Sequence, residues 1–242
     1  METIARETRE ALVGLGGRFM TSPQLAAEQE RLGLPKGALY FRGRASVLGD
    51  VTPDTVATLF GLFPKWLPRM VHVTLPPAQA VSAYLAACWG WAREHLPADE
   101  RLASLLLKVV DSVDGTALPL FAGWQAAPRP DDAKALLGHA LMVARELRGG
   151  LHFAALRVSG ISVPEAVTAD PGGGRPRLLR TGWRPEEVDA LYAGIAGREE
   201  EIVKRWQEAE QLTDVSFGHA LGVLSPEELI DLRDRMLAIE VV

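Results

Sequence analysis

Apolar positions recur at helical spacing along nearly the whole chain, and that pattern predicts a mainly α protein. Residues 4–20 place Ile4, Ala11, Leu12, Leu15 and Phe19 on one side of a helix. Ser22-Pro23 opens a second helix, with serine as N-cap and proline at the first position, where its missing N–H costs nothing. That helix ends near Gly33. Residues 36–50 break the period: they hold three glycines and the β-favouring run Leu39-Tyr40-Phe41. An extended or hairpin-like segment is expected near 38–46. Thr52-Pro53-Asp54 starts the next helix, to about Leu62, and Phe63-Pro64 stops it. Strong helical patterns follow at 78–95 and 99–113. Pro128 and Pro130 mark a connector, and Asp131 and Asp132 fall in the first turn of the helix after it, where the dipole favours acids. That helix runs to about Gly149-Gly150, and a short one covers His152 to Ser159. Ser162 with Glu165, and Ser225 with Glu228, have capping-box spacing. Residues 185–213 form a long amphipathic helix, with Gly194 or Gly197 as the place for a break.

The Gly-rich stretch Asp170 to Pro176 is the one clear loop and the best domain boundary. It divides a helical N-terminal region, 1–169, from a helical C-terminal region, 170–242, packed on it without a long linker. Residues 31–62 and 157–195 echo each other: helix end, Gly-bearing extended piece, Pro-headed helix. The expected fold is therefore a multi-helix domain with degenerate winged-helix-like elements, with a tandem pseudo-repeat of a helix-turn-helix as one option.

Composition narrows this further. Apolar residues make 48% and charged residues 24% of the 242, an ordinary globular balance that excludes disorder as the main state. A single cysteine, Cys88, excludes a disulfide framework and a cysteine zinc site. No uncharged apolar run is long enough for a membrane span, and the charged N-terminus is no signal peptide, so a cytoplasmic location is expected. Net charge is −5, concentrated at the end: residues 171–242 hold nine Lys/Arg against fourteen Asp/Glu. DNA affinity rests on neutralised phosphates, so nucleic acid is disfavoured by charge, although the local excess at Lys36, Arg42 and Arg44 suffices for one carboxylate or phosphate group.

Three constellations bear on chemistry. On an extended strand Tyr40, Arg42 and Arg44 share one face, and two guanidiniums there can hold an anion by bidentate hydrogen bonds; the bland reading is surface pairing or helix capping. Arg148 and His152 are i, i+4 if the helix continues across Gly149-Gly150, two glycines that cost about 1–2 kcal/mol relative to alanine and so ask for a packing reason. His152 titrates near neutrality and can serve as a base, or it is simply a satisfied structural histidine. Asp111 and Asp114 pair at i, i+3 with no histidine at ligand spacing. No metal set and no cofactor motif emerges. Six tryptophans supply aromatic surface, either for the core or for a cavity between helices.

Two stretches taken together carry a family resemblance. One is Tyr40-Phe41-Arg42-Gly43-Arg44-Ala45 with Leu48-Gly49, Val51, Pro53 and Phe63-Pro64. The other is Arg145-Glu146, Arg148-Gly149, His152, Ala154-Ala155-Leu156, Gly160, Glu165-Ala166 and Gly182-Trp183. In that order the chain resembles, over about residues 30–215, an actinobacterial family of helix-turn-helix, MarR-like winged-helix proteins. The resemblance implies a largely helical fold with winged-helix-like parts. It leaves function open, because fold does not fix function. Two departures stand out. The family pattern Arg-Glu-His-Arg-Gly-Asp-Gly-His carries Leu147 in place of its first histidine and Gly150 in place of its aspartate. The wing is also lost, since Arg198 to Gln211 runs on as a charged helix. The candidate recognition helix, Pro185 to Asp214, holds three Lys/Arg against nine Asp/Glu.

Three functions compete. The first is a small-molecule-binding protein on a degenerate winged-helix scaffold, its anionic or aromatic ligand at Tyr40, Arg42, Arg44, Arg148 and His152. The second is a MarR-like DNA-binding regulator. The third is a cofactor-independent tailoring enzyme of secondary metabolism, with His152 as catalytic acid or base and Arg44 as charge stabiliser. A homodimer is expected of the second.

Overall fold

The structure, a computed structural model, describes residues 1–240; the last two positions of the C-terminal region lie outside them. No strand occurs among the described residues. In chain order the helices are α1 (Glu2–Gly17), α2 (Pro23–Arg31), α3 (Ala38–Ala45), α4 (Pro53–Leu59), α5 (Trp66–Met70), α6 (Pro77–His95), α7 (Glu100–Ser112), α8 (Pro119–Gln125), α9 (Ala133–Val158), α10 (Val163–Ala169), α11 (Gly174–Arg180), α12 (Pro185–Ile195), α13 (Glu199–Ala220) and α14 (Pro226–Leu237). No helix among them is long and apolar enough to cross a membrane.

The local stop and start signals are realised by hydrogen bonds. Ser22, Thr52 and Asp99 accept from the backbone N–H groups of Leu25, Thr55 and Leu102. Asp132 acts as the N-cap of α9, accepting from Ala135 N, rather than sitting in its first turn. Both capping boxes form, at Ser162–Glu165 and Ser225–Glu228. The break in the long C-terminal amphipathic stretch falls at Gly197, whose φ of +80° is a left-handed value that glycine adopts without steric cost.

α9 is the axis of the molecule. From Ala135 to Arg148 it is buried on almost every side, as a helix apolar all round must be. It is packed by α1, α6, α7, α8 and α13. A Cβ on Gly138 would stand 2.4 Å from that of Ala92, so this glycine sets how closely α6 and α9 approach. Beyond the Gly-rich loop the chain returns to the same core: Phe217, Leu221, Leu224, Leu229, Leu232 and Met236 share one apolar cluster with Leu12, Tyr84, Leu106, Trp124 and Leu141. α10 to α12 pack around a smaller cluster, with Val167, Leu178 and Val188 at its centre and Leu62 against it.

Two expectations are corrected. Residues 38–46 are not extended: Ala38–Ala45 is helix α3. Gly37, at φ +84°, makes the turn into it. Leu39 then enters the main core while Phe41 enters a second cluster with Val56 and Phe60. A helix pressed between two apolar clusters is apolar on most sides, so its period is blurred, and packing overrides the strand preference of Leu-Tyr-Phe. The second correction concerns Gly149-Gly150. α9 runs through both glycines to Val158 instead of ending there. Gly150 has its packing reason, since a Cβ would meet Leu118 Cδ2 at 2.8 Å; at Gly149 nothing lies within 4 Å.

Candidate functional site

Since residues 38–45 are helical, Tyr40 and Arg44 are one turn apart and Arg42 points elsewhere. Arg44 Nη1 donates to Tyr40 Oη at 2.9 Å. Its Nε and Nη2 donate to the two carboxylate oxygens of Glu146 on α9, each at 2.8 Å. The guanidinium also stacks 4.5 Å over the Phe60 ring. Glu146 is sealed, with its side chain 2% exposed, and Arg145 Nη1 stands 3.3 Å away. Burial disfavours the Arg44 charge, but the Glu146 carboxylate and Tyr40 outweigh it and the pKa is raised. Burial likewise pushes the Glu146 carboxyl up, and Arg44 overturns that, leaving it lowered. All three nitrogens of the Arg44 guanidinium are spent on the protein. The arrangement is a buried clamp between α3 and α9, with shape-specific bidentate geometry.

Arg42 is a separate tether. Its Nε donates to the Leu75 carbonyl at 2.9 Å, and its Nη2 pairs with Asp50 at 2.8 Å. It holds the segment before α6 against α3.

Arg148 and His152 do meet, as the i, i+4 spacing on a continuous α9 requires, and they face α13. Arg148 Nη2 reaches Asp214 at 3.1 Å and Glu210 at 3.2 Å. Arg9 of α1 approaches the same two carboxylates at 3.8 and 3.5 Å. His152 Nδ1 lies 3.2 Å from Thr213 Oγ1 and 3.4 Å from Glu210 Oε1. The Thr213 hydroxyl has already given its proton to the Ala209 carbonyl, at 2.7 Å. It can only accept from His152, so Nδ1 carries the hydrogen and the lone pair of the neutral ring is on Nε2. Burial lowers the His152 pKa against the opposing pull of Glu210. Burial raises that of Asp214 in spite of Arg148. The His152 side chain remains 22% exposed, with the exposed Phe153 ring 6.4 Å from it. Arg148 Nε is buried without a hydrogen-bond partner among the described residues.

The five sequence-predicted residues therefore fall in three places: Tyr40 with Arg44, Arg42 alone, and Arg148 with His152. Glu146, Glu210, Thr213, Asp214 and Arg9 complete these clusters, and of them only Glu146 stands in a motif of the sequence. Glu146, an acid amid the apolar run of α9, was the one readable hint. Asp111 pairs with Arg129, and Asp114 caps the turn at Thr116. Two surface depressions lie elsewhere. One, about 440 Å³, is lined by α1 and the end of α14; the other, about 400 Å³, by the ends of α9 and α13.

A further set of contacts covers the start of α12. Trp66 Nε1 donates to the Glu187 carboxylate at 3.0 and 3.3 Å. That carboxylate also accepts from the Arg184 backbone N–H at 2.8 Å. The Arg184 guanidinium stacks 4.6 Å over the Trp66 ring, and Trp183 Nε1 donates to the Leu62 carbonyl at 2.9 Å. The α4–α5 segment is thus pinned onto the first turn of α12.

A family model described as a helix-turn-helix family matches residues 5–239. The chain belongs to this helix-turn-helix family. No curated protein and no solved structure matches it. The family match covers almost the whole chain, from within α1 to beyond α14.

Proposed function

We propose that this member of the helix-turn-helix family binds a small anionic or aromatic molecule at the face of α9 and α13 around His152. The observation that carries the reading is the partly exposed imidazole whose Nε2 lone pair is uncommitted, set beside the buried, unspent Nε of Arg148. Neutral His152 accepts a hydrogen bond from a ligand hydroxyl or N–H through Nε2. Protonated, it donates to a carboxylate, and an anion there raises the imidazole pKa. Phe153 offers an aromatic edge. Tyr40, Arg42 and Arg44, committed to protein partners, act in this reading as supports. A catalytic pairing of His152 with Arg44 is not part of this reading: Arg44 lies on α3 and is held by Glu146 of α9, while His152 faces α13.

The finer MarR-like resemblance favours a second reading, a DNA-binding regulator. A recognition helix meets base edges with its N-terminal residues. The first turn of α12 is instead covered by Trp66, and it presents Glu186 and Glu187. α12 contains no Lys or Arg. These features weigh against that reading.

The test is an NMR titration with benzoate as the probe. The Nδ1–H tautomer of His152 is expected in the free protein. Benzoate is expected to shift the amides of His152, Phe153 and Thr213 saturably, with tighter binding as the pH is lowered. Amides at that face that stay unmoved while others shift, or that do not respond at all, would sink the assignment.

A further inference from the structure

The exposed face of α1 has a self-complementary pattern. Glu10 on α1 and Arg18, which opens the 3-10 turn Arg18–Thr21 directly after it, are both exposed, and neither forms an ion pair among the described residues. They lie four residues to either side of Gly14, which is itself exposed, with nothing within 4 Å of where its Cβ would be. All three line the depression of about 440 Å³ whose floor is Ala11, Leu15 and Met236 and whose rim includes Leu237 and Ile239. A large apolar side chain stands out on its rim: Leu237 is 54% exposed. Ile230, one heptad before Leu237 on the same side of α14, is equally open. Apolar surface of this kind, rimmed by opposite charges, marks an interaction site more often than a bare surface.

We infer that this groove is where a second copy of the chain docks, α1 lying antiparallel on α1 about a two-fold axis at Gly14. The charge pattern selects that occupant. An isologous interface uses one patch twice, so residue i meets j while j meets i. With Gly14 on the axis, Glu10 of one copy faces Arg18 of the other, and the same contact repeats on the far side. Both ion pairs then form from groups that are otherwise unpaired. The missing side chain at Gly14 lets the helix backbones come close at the crossing. The Leu237 side chain of each copy fills the groove of the other. An unrelated partner has no reason to match charges placed symmetrically about one residue.

The test is sedimentation velocity over a concentration series on the full chain and four variants, each checked for unchanged helicity by circular dichroism. Wild type is expected to dimerise. Glu10→Arg and Arg18→Glu each place two like-charge contacts in the interface, and each should weaken dimerisation by about tenfold or more. The double variant Glu10→Arg/Arg18→Glu restores opposite charges with the sign reversed, and should dimerise like wild type. Leu237→Glu should give a monomer. A wild-type chain that stays monomeric through the series overturns the inference. So does a dimer whose strength ignores the two reversals, and so does a double variant as weak as the singles.

Discussion

Arg44→Ala is expected to destabilise the fold by about 3–5 kcal/mol, measured by urea unfolding at neutral pH. The cost comes from the partner left behind more than from the lost attraction. Glu146 has its side chain 2% exposed and both oxygens engaged by Arg44; without the guanidinium only Arg145, at 3.3 Å, faces it. Deleting both charges behaves differently. In Arg44→Met/Glu146→Leu no ion is stranded, and a buried pair exchanged for apolar residues of similar volume is often neutral or better. The double variant is therefore expected to recover most of the loss. The native carboxyl pKa lies below its ordinary value, so the clamp's contribution is full above the ordinary carboxylate range and fades as pH falls through the lowered value. A single variant costing under about 1 kcal/mol would mean that the clamp is not sealed as described.

The second large effect is an acid sensitivity written into one residue. His139 is fully buried on α9, and neither ring nitrogen has a hydrogen-bond partner among the described residues. Burial, reinforced by Arg129 and opposed by Asp111, lowers its pKa from 6.5 to about 4. Between those values the unfolded chain takes up a proton that the native chain refuses. Stability attributable to this group is thus complete above the unfolded value and falls as the pH drops from there to about 4, by about 1.4 kcal/mol per unit. The whole swing is about 3 kcal/mol. His139→Leu should remove this slope. At neutral pH it should also hold stability level or raise it by about 1–3 kcal/mol, since two unsatisfied polar atoms leave the core. The readout is the difference between wild-type and variant unfolding free energies at several pH values, which cancels the carboxylates common to both. A difference that does not grow toward acid would contradict the buried, neutral state of His139.

How far these features could be read in the sequence depended on how far apart the partners lie. Caps at Ser22, Thr52, Ser162 and Ser225 act over three residues and were legible. The Arg148–His152 pair acts over one helical turn and was legible too, once α9 is seen to continue through Gly149-Gly150. Helix α3 shows no helical period in the sequence, because its faces serve two apolar clusters. Glu146 stands 102 positions from Arg44, and Glu210 and Asp214 stand 62 and 66 from Arg148. No local spacing signals such partners. The cover that Trp66 lays on Glu187 spans 121 positions and was invisible for the same reason. It is also the contact that most changes the functional picture, because it occupies the turn of α12 that a DNA-reading helix would need free.

Native mass spectrometry of the protein as purified tests the central claim most directly. The account predicts a discrete small-molecule mass retained on wild type and lost from His152→Ala at unchanged fold. A bare chain in both samples, or the same mass held equally by both, would contradict binding at His152.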